Sequence, residues 1–383
     1  MEIYVHIPFC VKKCDYCDFL SAPADETVRS AYVNAIIREI RRRADLFEVN
    51  ERVTSIYFGG GTPSTLNEKQ TENILCAIRE EFHVDPDAEI TIEVNPKTVD
   101  RTKLHFLKEF GFNRLSVGMQ SSYDDELKML GRIHTYDDFV EAYINARDAG
   151  FTNISVDVMT ALPGQDEKKL EMTLKRVIGL NPEHISAYSL IIEPGTPFFE
   201  KYGETDGPLV GEELERKLYH LTVSMLKDAG YTHYEISNFA KKGFESRHNT
   251  GYWKRAPYLG VGLGASSCLE SGSKGYDEER TRNETVLEKY LENPTSYSEY
   301  TPLTQEDIIE ETFFLGLRMA QGVNLNDFNA KFGLSAREIY GEEIEKLVAG
   351  GLIYDYGDRI CLTDKGIDYG NYVFARFLIE RKC

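Results

Sequence analysis

The chain has 383 residues, a formal net charge of −19 and 42% hydrophobic residues, enough for one large domain with a smaller one around a sizeable core. The negative charge disfavours nucleic acid and anionic membrane surfaces as partners, and no stretch is long and apolar enough to cross a bilayer. Seven cysteines without an even framework, and an N-terminus with no signal peptide, predict a cytoplasmic protein with no nucleic acid partner and no stable membrane insertion.

The first predicted strand, Glu2–Ile7, leads directly into three cysteines at CxxxCxxC spacing, Cys10, Cys14 and Cys17. Such short gaps let one tight loop point three thiolates at a common point, which suits a [4Fe–4S] cluster with one open iron. A structural zinc site would need a fourth Cys or His at a paired spacing, and none stands nearby. Three cysteines in one loop also cannot all pair as disulfides, so the spacing favours a cluster over zinc.

Strand and helix patterns then alternate up to about residue 190. The predicted strands are 2–7, 53–58, 90–94, 113–118, 153–158 and 184–190, and the predicted helices are 28–47, 67–82, 102–110, 123–130, 137–149 and 167–179. Asn67 and Gln70 are spaced for a capping box at the start of the second helix. Six strand–helix units in series predict parallel strands with right-handed crossovers, in an open sheet or a barrel.

A polar candidate group follows each of these strands, at the end where sites assemble in such folds. The six groups are the cysteine loop, the run Gly59-Gly60-Gly61-Thr62, Glu93, Gln120, Asp157 and Ser189. The glycine run alone is weak, since no Gly-Lys-Ser/Thr completes a phosphate loop and a tight turn explains it equally well. Glu93, Asp157 and the carboxylate-binding fork of Arg132 would each, in isolation, more often be a salt bridge or a cap. Their joint placement favours contact with a ligand.

The pattern changes after residue 195. A helix over 209–229 and a strand over 231–236 precede a segment rich in Gly, Ser and Asn, 238–285, which predicts loops around a short strand near 261–268. Helices over 306–321, 325–332 and 336–349, a hairpin over 352–362 and a final helix predict a small winged-helix-like domain. Acidic residues outnumber basic ones there, which favours packing or a partner over DNA. We expect a core over 1–235, a connecting segment over 236–300 and a C-terminal domain over 301–383.

The cysteine loop, with an aromatic residue before its last cysteine, resembles that of the radical S-adenosylmethionine (SAM) superfamily. The wider pattern, Tyr-x-His-Ile-Pro-Phe-Cys followed by Gly-Gly-Gly-Thr-Pro, Glu-x-Asn-Pro, Gly-x-Gln-Ser and Gly-Arg-x-His, is similar to the oxygen-independent coproporphyrinogen III oxidase group over nearly the whole chain. The resemblance implies an α/β fold: a radical SAM partial (β/α)6 TIM-like barrel with a small C-terminal α+β winged-helix-like domain.

The resemblance also implies a set of cofactor residues. Cys10, Cys14 and Cys17 would hold the [4Fe–4S] cluster. The residues implied for SAM are Tyr4, Tyr16, Gly60, Gly61, Thr62, Glu93, Gln120, Arg132 and Asp157.

Two features divide this group into an enzyme and a carrier. The oxidases usually have another cysteine two residues after the third, and Phe19 stands there in this chain. The segment 247–253, RHNTGYW, resembles the HNxxYW signature of the HemW haem chaperones. That resemblance implies a protein that binds haem and delivers it to acceptor haemoproteins. It is also compatible with a homodimer in which the cluster and SAM govern dimerisation or haem transfer. The alternative is an oxygen-independent coproporphyrinogen III oxidase, which performs a radical SAM oxidative decarboxylation.

The haem residues implied by the signature are His248, Asn249, Tyr252 and Trp253. A neutral imidazole at His248 suits an axial iron ligand, and Tyr252 and Trp253 offer flat faces to a porphyrin. In the other interpretation Trp253 anchors a loop on the barrel and His248 caps a neighbouring group. The sequence leaves the axial ligand open.

Overall fold

The computed structural model describes residues 1–45, 51–203, 209–270 and 278–379. Its first half alternates strand and helix as expected. The elements are β1 (Glu2–Ile7), α1 (Glu26–Ala44), β2 (Arg52–Gly60), α2 (Glu68–Glu81), β3 (His83–Val94), α3 (Arg101–Glu109), β4 (Arg114–Gln120), α4 (Asp124–Met129), α5 (Tyr136–Asp148), β5 (Ile154–Thr160), α6 (Glu167–Leu180) and β6 (His184–Ser189). The predicted capping box of α2 is confirmed, since the side chains of Asn67 and Gln70 bond each other's backbone N–H.

The second half adds short elements to both edges of the same sheet and then builds a separate domain. In the first part of it lie α7 (Pro197–Tyr202), α8 (Glu212–Asp228), β7 (Thr232–Glu235), β8 (Asn238–Ala240), α9 (Arg247–Trp253), β9 (Tyr258–Val261), β10 (Ser266–Glu270), β11 (Glu278–Asn283), α10 (Leu287–Glu292) and β12 (Tyr297–Leu303). The C-terminal elements are α11 (Gln305–Gly316), β13 (Val323–Asn324), α12 (Leu325–Phe332), α13 (Ala336–Ala349), β14 (Ile353–Asp355), β15 (Arg359–Leu362), α14 (Asp364–Asp368) and α15 (Gly370–Ala375).

Within the described ranges, twelve strands form one sheet in the order β12-β11-β10-β9-β1-β2-β3-β4-β5-β6-β8-β7. Strands β1 to β6 pair in parallel in chain order, which is the expected partial barrel of six β/α units. Strand β9 extends it in parallel beside β1, and β10, β11 and β12 continue antiparallel. At the other edge β8 pairs antiparallel with β6, and β7 pairs antiparallel with β8. The barrel therefore carries an antiparallel sheet extension beside its first strand.

Side chains alternate between the two faces of each strand and so divide the barrel into an apolar shell and a polar interior. On β1, Ile3, Val5 and Ile7 are fully buried in the main core with the helices. The intervening residues, Tyr4 and His6, lie on the opposite face, where each contacts groups of the barrel interior. This alternation puts the polar side chains of the strands on one concave face.

The C-terminal domain has a core of its own. Phe313 of α11 packs against Phe328, Tyr340 and Phe377, with ring centroids 4.6 to 5.1 Å away, and a three-stranded sheet, β13-β15-β14, covers the helices. The hairpin β14–β15 turns at Gly357, whose φ of +90° suits glycine. The predicted helices 325–332 and 336–349 and the predicted hairpin are confirmed.

The segment 236–300 differs from the expectation. It supplies β8, β9, β10, β11 and part of β12 to the main sheet instead of acting as a connection between domains. The single strand expected near 261–268 is wrong, because left-handed glycines at 262 and 264 turn the chain between β9 and β10. Residues 271–277 of the expected loop, and residues 46 and 47 of the first predicted helix, lie outside the described residues. The division at residues 235 and 300 stays a prediction.

Candidate functional site

The cysteine loop begins where β1 ends and is fastened to the barrel by backbone hydrogen bonds. Cys10 N–H donates to Ala22 O (3.2 Å), Cys17 N–H donates to Cys14 O (3.2 Å), and Asp15 N–H donates to Leu130 O (3.0 Å). Cys10 is buried, and Cys14 and Cys17 are half-buried. The structure thus fixes all three thiols on one loop at the carboxyl end of the first strand.

The glycine run after β2 packs directly on this loop. Gly61 N–H donates to Ile7 O (2.9 Å) and Thr62 N–H donates to Phe9 O (2.8 Å). A Cβ on Gly61 would lie 2.8 Å from Phe9 O, and one on Gly60, whose φ is +109°, would lie 2.5 Å from the His6 ring. Only glycine fits this close approach. As a result Thr62 Oγ1 reaches Cys10 Sγ at 3.5 Å.

A cavity of about 440 Å³ opens where the parallel strands end, and we call it the cluster pocket. It is lined by the three cysteines and by eight of the nine residues predicted for SAM, namely Tyr16, Gly60, Gly61, Thr62, Glu93, Gln120, Arg132 and Asp157. The ninth, Tyr4, lies outside this lining, and its hydroxyl bonds His6 Nδ1 (3.0 Å) deeper in the barrel. The expected convergence of strand ends is therefore present, with Tyr4 as the exception.

Two half-buried acids, Glu93 and Asp157, give the cluster pocket its electrostatic character. Burial raises the pKa of Glu93 to about 7, although Tyr57 OH donates a hydrogen bond to Glu93 Oε1 (2.8 Å). Burial also raises the pKa of Asp157 to about 6, against the hydrogen bond that Ser116 Oγ donates to it (3.1 Å). A ligand with hydroxyl or ammonium donors would stabilise the ionised form of both carboxyls.

Arg132 lies between the loop and the fourth strand. Its Nη2 donates to Gly118 O (2.8 Å) and its Nη1 contacts Cys14 Sγ at 3.7 Å. One guanidinium thus touches both the sheet and a predicted cluster thiol. This location suits the predicted fork for a carboxylate of a ligand in the pocket.

Sequence reasoning missed part of the lining. Tyr188 lies in the pocket and donates from its hydroxyl to Gln120 Oε1 (3.1 Å), and Met159 and Ile191 also line it. Ser189, which the strand-end rule singled out, lies there too. Tyr188 and Met159 lie near the ends of β6 and β5, so the same rule could have found them.

A second, larger cavity of about 720 Å³ lies on the concave face of the sheet extension, and we call it the side cavity. Alternate residues of the extension form its floor, and α9 and α11 contribute its other walls. The lining includes Tyr4, His6, Tyr252, Trp253, Tyr258, Cys268, Arg280, Arg282, Phe314 and Leu315. Asp18 and Phe19 line both cavities, so the two adjoin.

The HNxxYW segment forms the short helix α9, and its members have different surroundings. Tyr252 and Trp253 line the side cavity, whereas Asn249 and His248 line neither cavity. His248 is 1% exposed, with Nδ1 hydrogen-bonded to Ser55 Oγ (2.8 Å) and Nε2 to Tyr252 OH (3.0 Å). Burial lowers the pKa of His248 to about 3, so the ring is neutral. Both ring nitrogens are engaged, which favours the interpretation of His248 as a group that holds its neighbours.

The donor set fits an iron–sulfur cluster. The three thiols come from one loop, and Thr62 and Arg132 each donate to one of the sulfurs, as expected for groups that support thiolate ligands. Across the described ranges, no three or more His, Cys, Asp or Glu side chains are placed to hold one metal ion, so the fit rests on the type and location of the three thiols and not on their spacing around a common point. Over the same ranges, no helix is both long and apolar enough to cross a membrane.

Comparisons with known proteins cover the whole of this architecture. Residues 4–177 match the Radical SAM superfamily and residues 303–369 match the HemN C-terminal domain. The heme chaperone HemW of Bacillus subtilis is 38% identical over 98% of this chain and 99% of its own, and that of Lactococcus lactis is 36% identical over 98% and 97%. The structure of coproporphyrinogen III oxidase (HemN) from Escherichia coli superposes with a TM-score of 0.84 at 26% identity, over 98% of this chain and 89% of that one.

Proposed function

This chain belongs to the HemW family of the radical SAM superfamily, and from this membership we propose that it is a haem chaperone, which binds haem and delivers it to acceptor haemoproteins. The observation that carries the proposal is the position of α9. This helix turns Tyr252 and Trp253 of the family signature towards the side cavity, directly beside the cluster pocket.

The cluster pocket belongs to the same proposal. Cys10, Cys14 and Cys17 would hold a [4Fe–4S] cluster, which supplies an open iron site and one-electron chemistry when bound. Arg132 would bind the carboxylate of SAM, and Glu93 and Asp157 would accept hydrogen bonds from its amino group or ribose hydroxyls, since all three line the cluster pocket. The glycine run permits the close approach of such a ligand to the backbone.

The side cavity would hold the haem. Its volume lies within the range of roughly 300–1,000 Å³ that small-molecule pockets occupy. Tyr252 and Trp253 give aromatic surface for the porphyrin, and His248 fixes the Tyr252 hydroxyl from behind. His248 is then a positioning residue for the cavity wall, and Tyr252 is a signature residue that lines the cavity and carries a hydroxyl oxygen. The acceptors are haemoproteins that take haem from this cavity.

The alternative function is oxygen-independent oxidation of coproporphyrinogen III, favoured by the likeness to the oxidase structure. The same cluster pocket would serve it, so the pocket does not discriminate. Phe19 does, because an aromatic ring stands where the oxidases usually have a further cysteine. We therefore place the oxidase second.

The experiment that separates the two functions uses the full chain, reconstituted anaerobically with iron and sulfide. One sample is titrated with haem and followed by the Soret band; another is given coproporphyrinogen III, SAM and a reductant. The proposal predicts saturable haem binding and no protoporphyrinogen. Formation of protoporphyrinogen at catalytic rates would establish the oxidase instead, and a protein that produces no Soret band would refute the chaperone.

A further inference from the structure

The two cavities share one short piece of wall, Asp18 and Phe19, directly after the third cysteine. Phe19 is 59% exposed, although burial of a Phe side chain ordinarily stabilises the folded state. The backbone around it is held in place: Lys13 Nζ donates to Phe19 O (2.8 Å), and His6 Nε2 is hydrogen-bonded to Leu20 O (3.0 Å). The ring of Phe19 is thus presented to the junction by a fastened loop.

The side cavity beyond Phe19 has the chemistry of a site for a flat apolar molecule with carboxylates. Tyr258 of β9 and Phe314 and Leu315 of α11 provide apolar surface. Arg280 and Arg282 lie on the same face of β11, where Arg280 pairs with Glu311 (2.9 Å) and Arg282 with Glu299 (3.1 Å), and their side chains remain 39% and 42% exposed. Two guanidinium groups are therefore within reach of acidic substituents at the edge of a ligand.

We propose that the porphyrin of haem occupies the side cavity in contact with Phe19, and that Phe19 couples haem binding to the occupancy of the cluster pocket. The inference deepens the proposed chaperone function and rests on it. The backbone of Phe19 is already held, but its ring is exposed, and SAM in the cluster pocket would pack against this ring and restrict it to one position. Haem then binds to a wall that is already ordered, so SAM tightens haem binding and haem tightens SAM binding by the same factor.

The test is a haem titration of the anaerobically reconstituted full chain, with and without saturating SAM. For the wild type we expect SAM to lower the haem dissociation constant by about fivefold or more, the lower end of typical couplings between sites. In Phe19→Ala the haem affinity falls and the effect of SAM drops to less than about twofold. Val11→Ala is the matched control: Val11 is 56% exposed on the same loop and lines neither cavity, so this variant keeps the wild-type coupling.

A second measurement needs no variant. The SAM dissociation constant of the wild type, measured with and without haem, must change by the factor found for haem. A wild type that binds haem equally well with and without SAM, or a Phe19→Ala protein that keeps both its cluster iron and the full coupling, would overturn the inference and leave the chaperone function standing. A wild type that binds no haem would overturn the function itself.

Discussion

The cluster pocket and the side cavity lie next to each other on one concave surface, yet they are built in different ways. The cluster pocket is formed by the ends of six parallel strands, each followed by a loop that brings its polar groups to the mouth. The side cavity is formed by residues on the faces of β9, β10 and β11 and by the helices α9 and α11, which flank the strands of the extension in the chain. Loops define the first site, and strand faces define the second.

The two cavities also differ in how their acidic side chains are paired. In the cluster pocket Glu93 and Asp157 are half-buried with raised pKa values, and a polar ligand would compensate their charges. In the side cavity Glu278 and Glu311 are already paired with Arg255, at 2.6 and 3.0 Å. One site is poised for a charged ligand such as SAM, while in the other two of the four lining acids are already paired with arginine and aromatic surface suits an apolar macrocycle.

The largest expected effect is confined to the cluster pocket. Replacement of Cys10, Cys14 and Cys17 by alanine removes every thiol of the loop, so iron content and the visible absorbance of the reconstituted protein fall to background. The far-ultraviolet circular dichroism should stay close to wild type, because these side chains lie outside the main core. Cys76→Ala on α2 is the control and keeps its iron. Unchanged iron in the triple variant would contradict the cluster assignment.

The buried contacts of His248 give the next largest effect. His248→Ala leaves Ser55 Oγ and Tyr252 OH without their partner and opens space under Tyr57, whose ring stacks on His248 at 5.1 Å. We expect the free energy of unfolding to fall by about 2–4 kcal/mol, measured by chemical denaturation. The folded variant should still bind haem more tightly than Trp253→Ala does. Loss of the Soret band with unchanged stability would instead identify His248 as the axial ligand.

The third prediction separates the sites by pH. Below pH 7 Glu93 is protonated in the ligand-free protein, so binding of SAM to the carboxylate must release a proton. SAM affinity therefore decreases by up to about tenfold for each unit by which the pH is lowered below 7. In Glu93→Gln this dependence on pH weakens, as isothermal titration from pH 5.5 to 8.5 would show. Haem affinity should not follow the same profile, since Glu93 does not line the side cavity.

The raised pKa of Glu93 also makes the free energy of unfolding depend on pH. The folded protein holds the proton up to about pH 7, whereas the unfolded chain releases it near 4.5, so unfolding releases a proton between these values. The free energy of unfolding therefore falls as pH rises through this window. The difference in the free energy of unfolding between wild type and Glu93→Gln isolates the contribution of Glu93 from those of the other acids. A difference that stays constant from pH 4.5 to 7 would refute this contribution.

The smallest effect concerns the acidic edge of the ligand. Arg280→Gln and Arg282→Gln each remove one charge-assisted partner for a carboxylate at a partly exposed site, which should weaken haem binding by roughly three- to tenfold. Arg337→Gln, in the C-terminal domain, removes an equally exposed arginine that pairs with Asp355 and should leave haem affinity unchanged. Equal affinities in all three variants would remove the arginines from the haem site.

The contrast between the sites also explains what the sequence could predict. Contiguous motifs and the strand-end rule located the cluster pocket, and eight of the nine residues expected for SAM line it. Strands β9, β10 and β11 have only four, five and six residues, and left-handed glycines at 262 and 264 separate β9 from β10, so their pairing was not recognised. The partner of His248, Ser55, lies 193 residues earlier in the chain, and only the fold brings the two together. Contiguous motifs predict sites built from loops, whereas a cavity on strand faces depends on which strands pair across long stretches of the chain.

The most direct test of the central claim is transfer of haem from this protein to an acceptor. The anaerobically reconstituted chain is loaded with haem, mixed with apomyoglobin, and the transfer is followed by the Soret shift, with free haem and the haem-loaded Cys10, Cys14 and Cys17 triple alanine variant in parallel. The account predicts stoichiometric loading at the side cavity and transfer to the acceptor, at a rate that changes when SAM occupies the cluster pocket. A protein that retains no haem, or whose bound haem never reaches the acceptor, would contradict it.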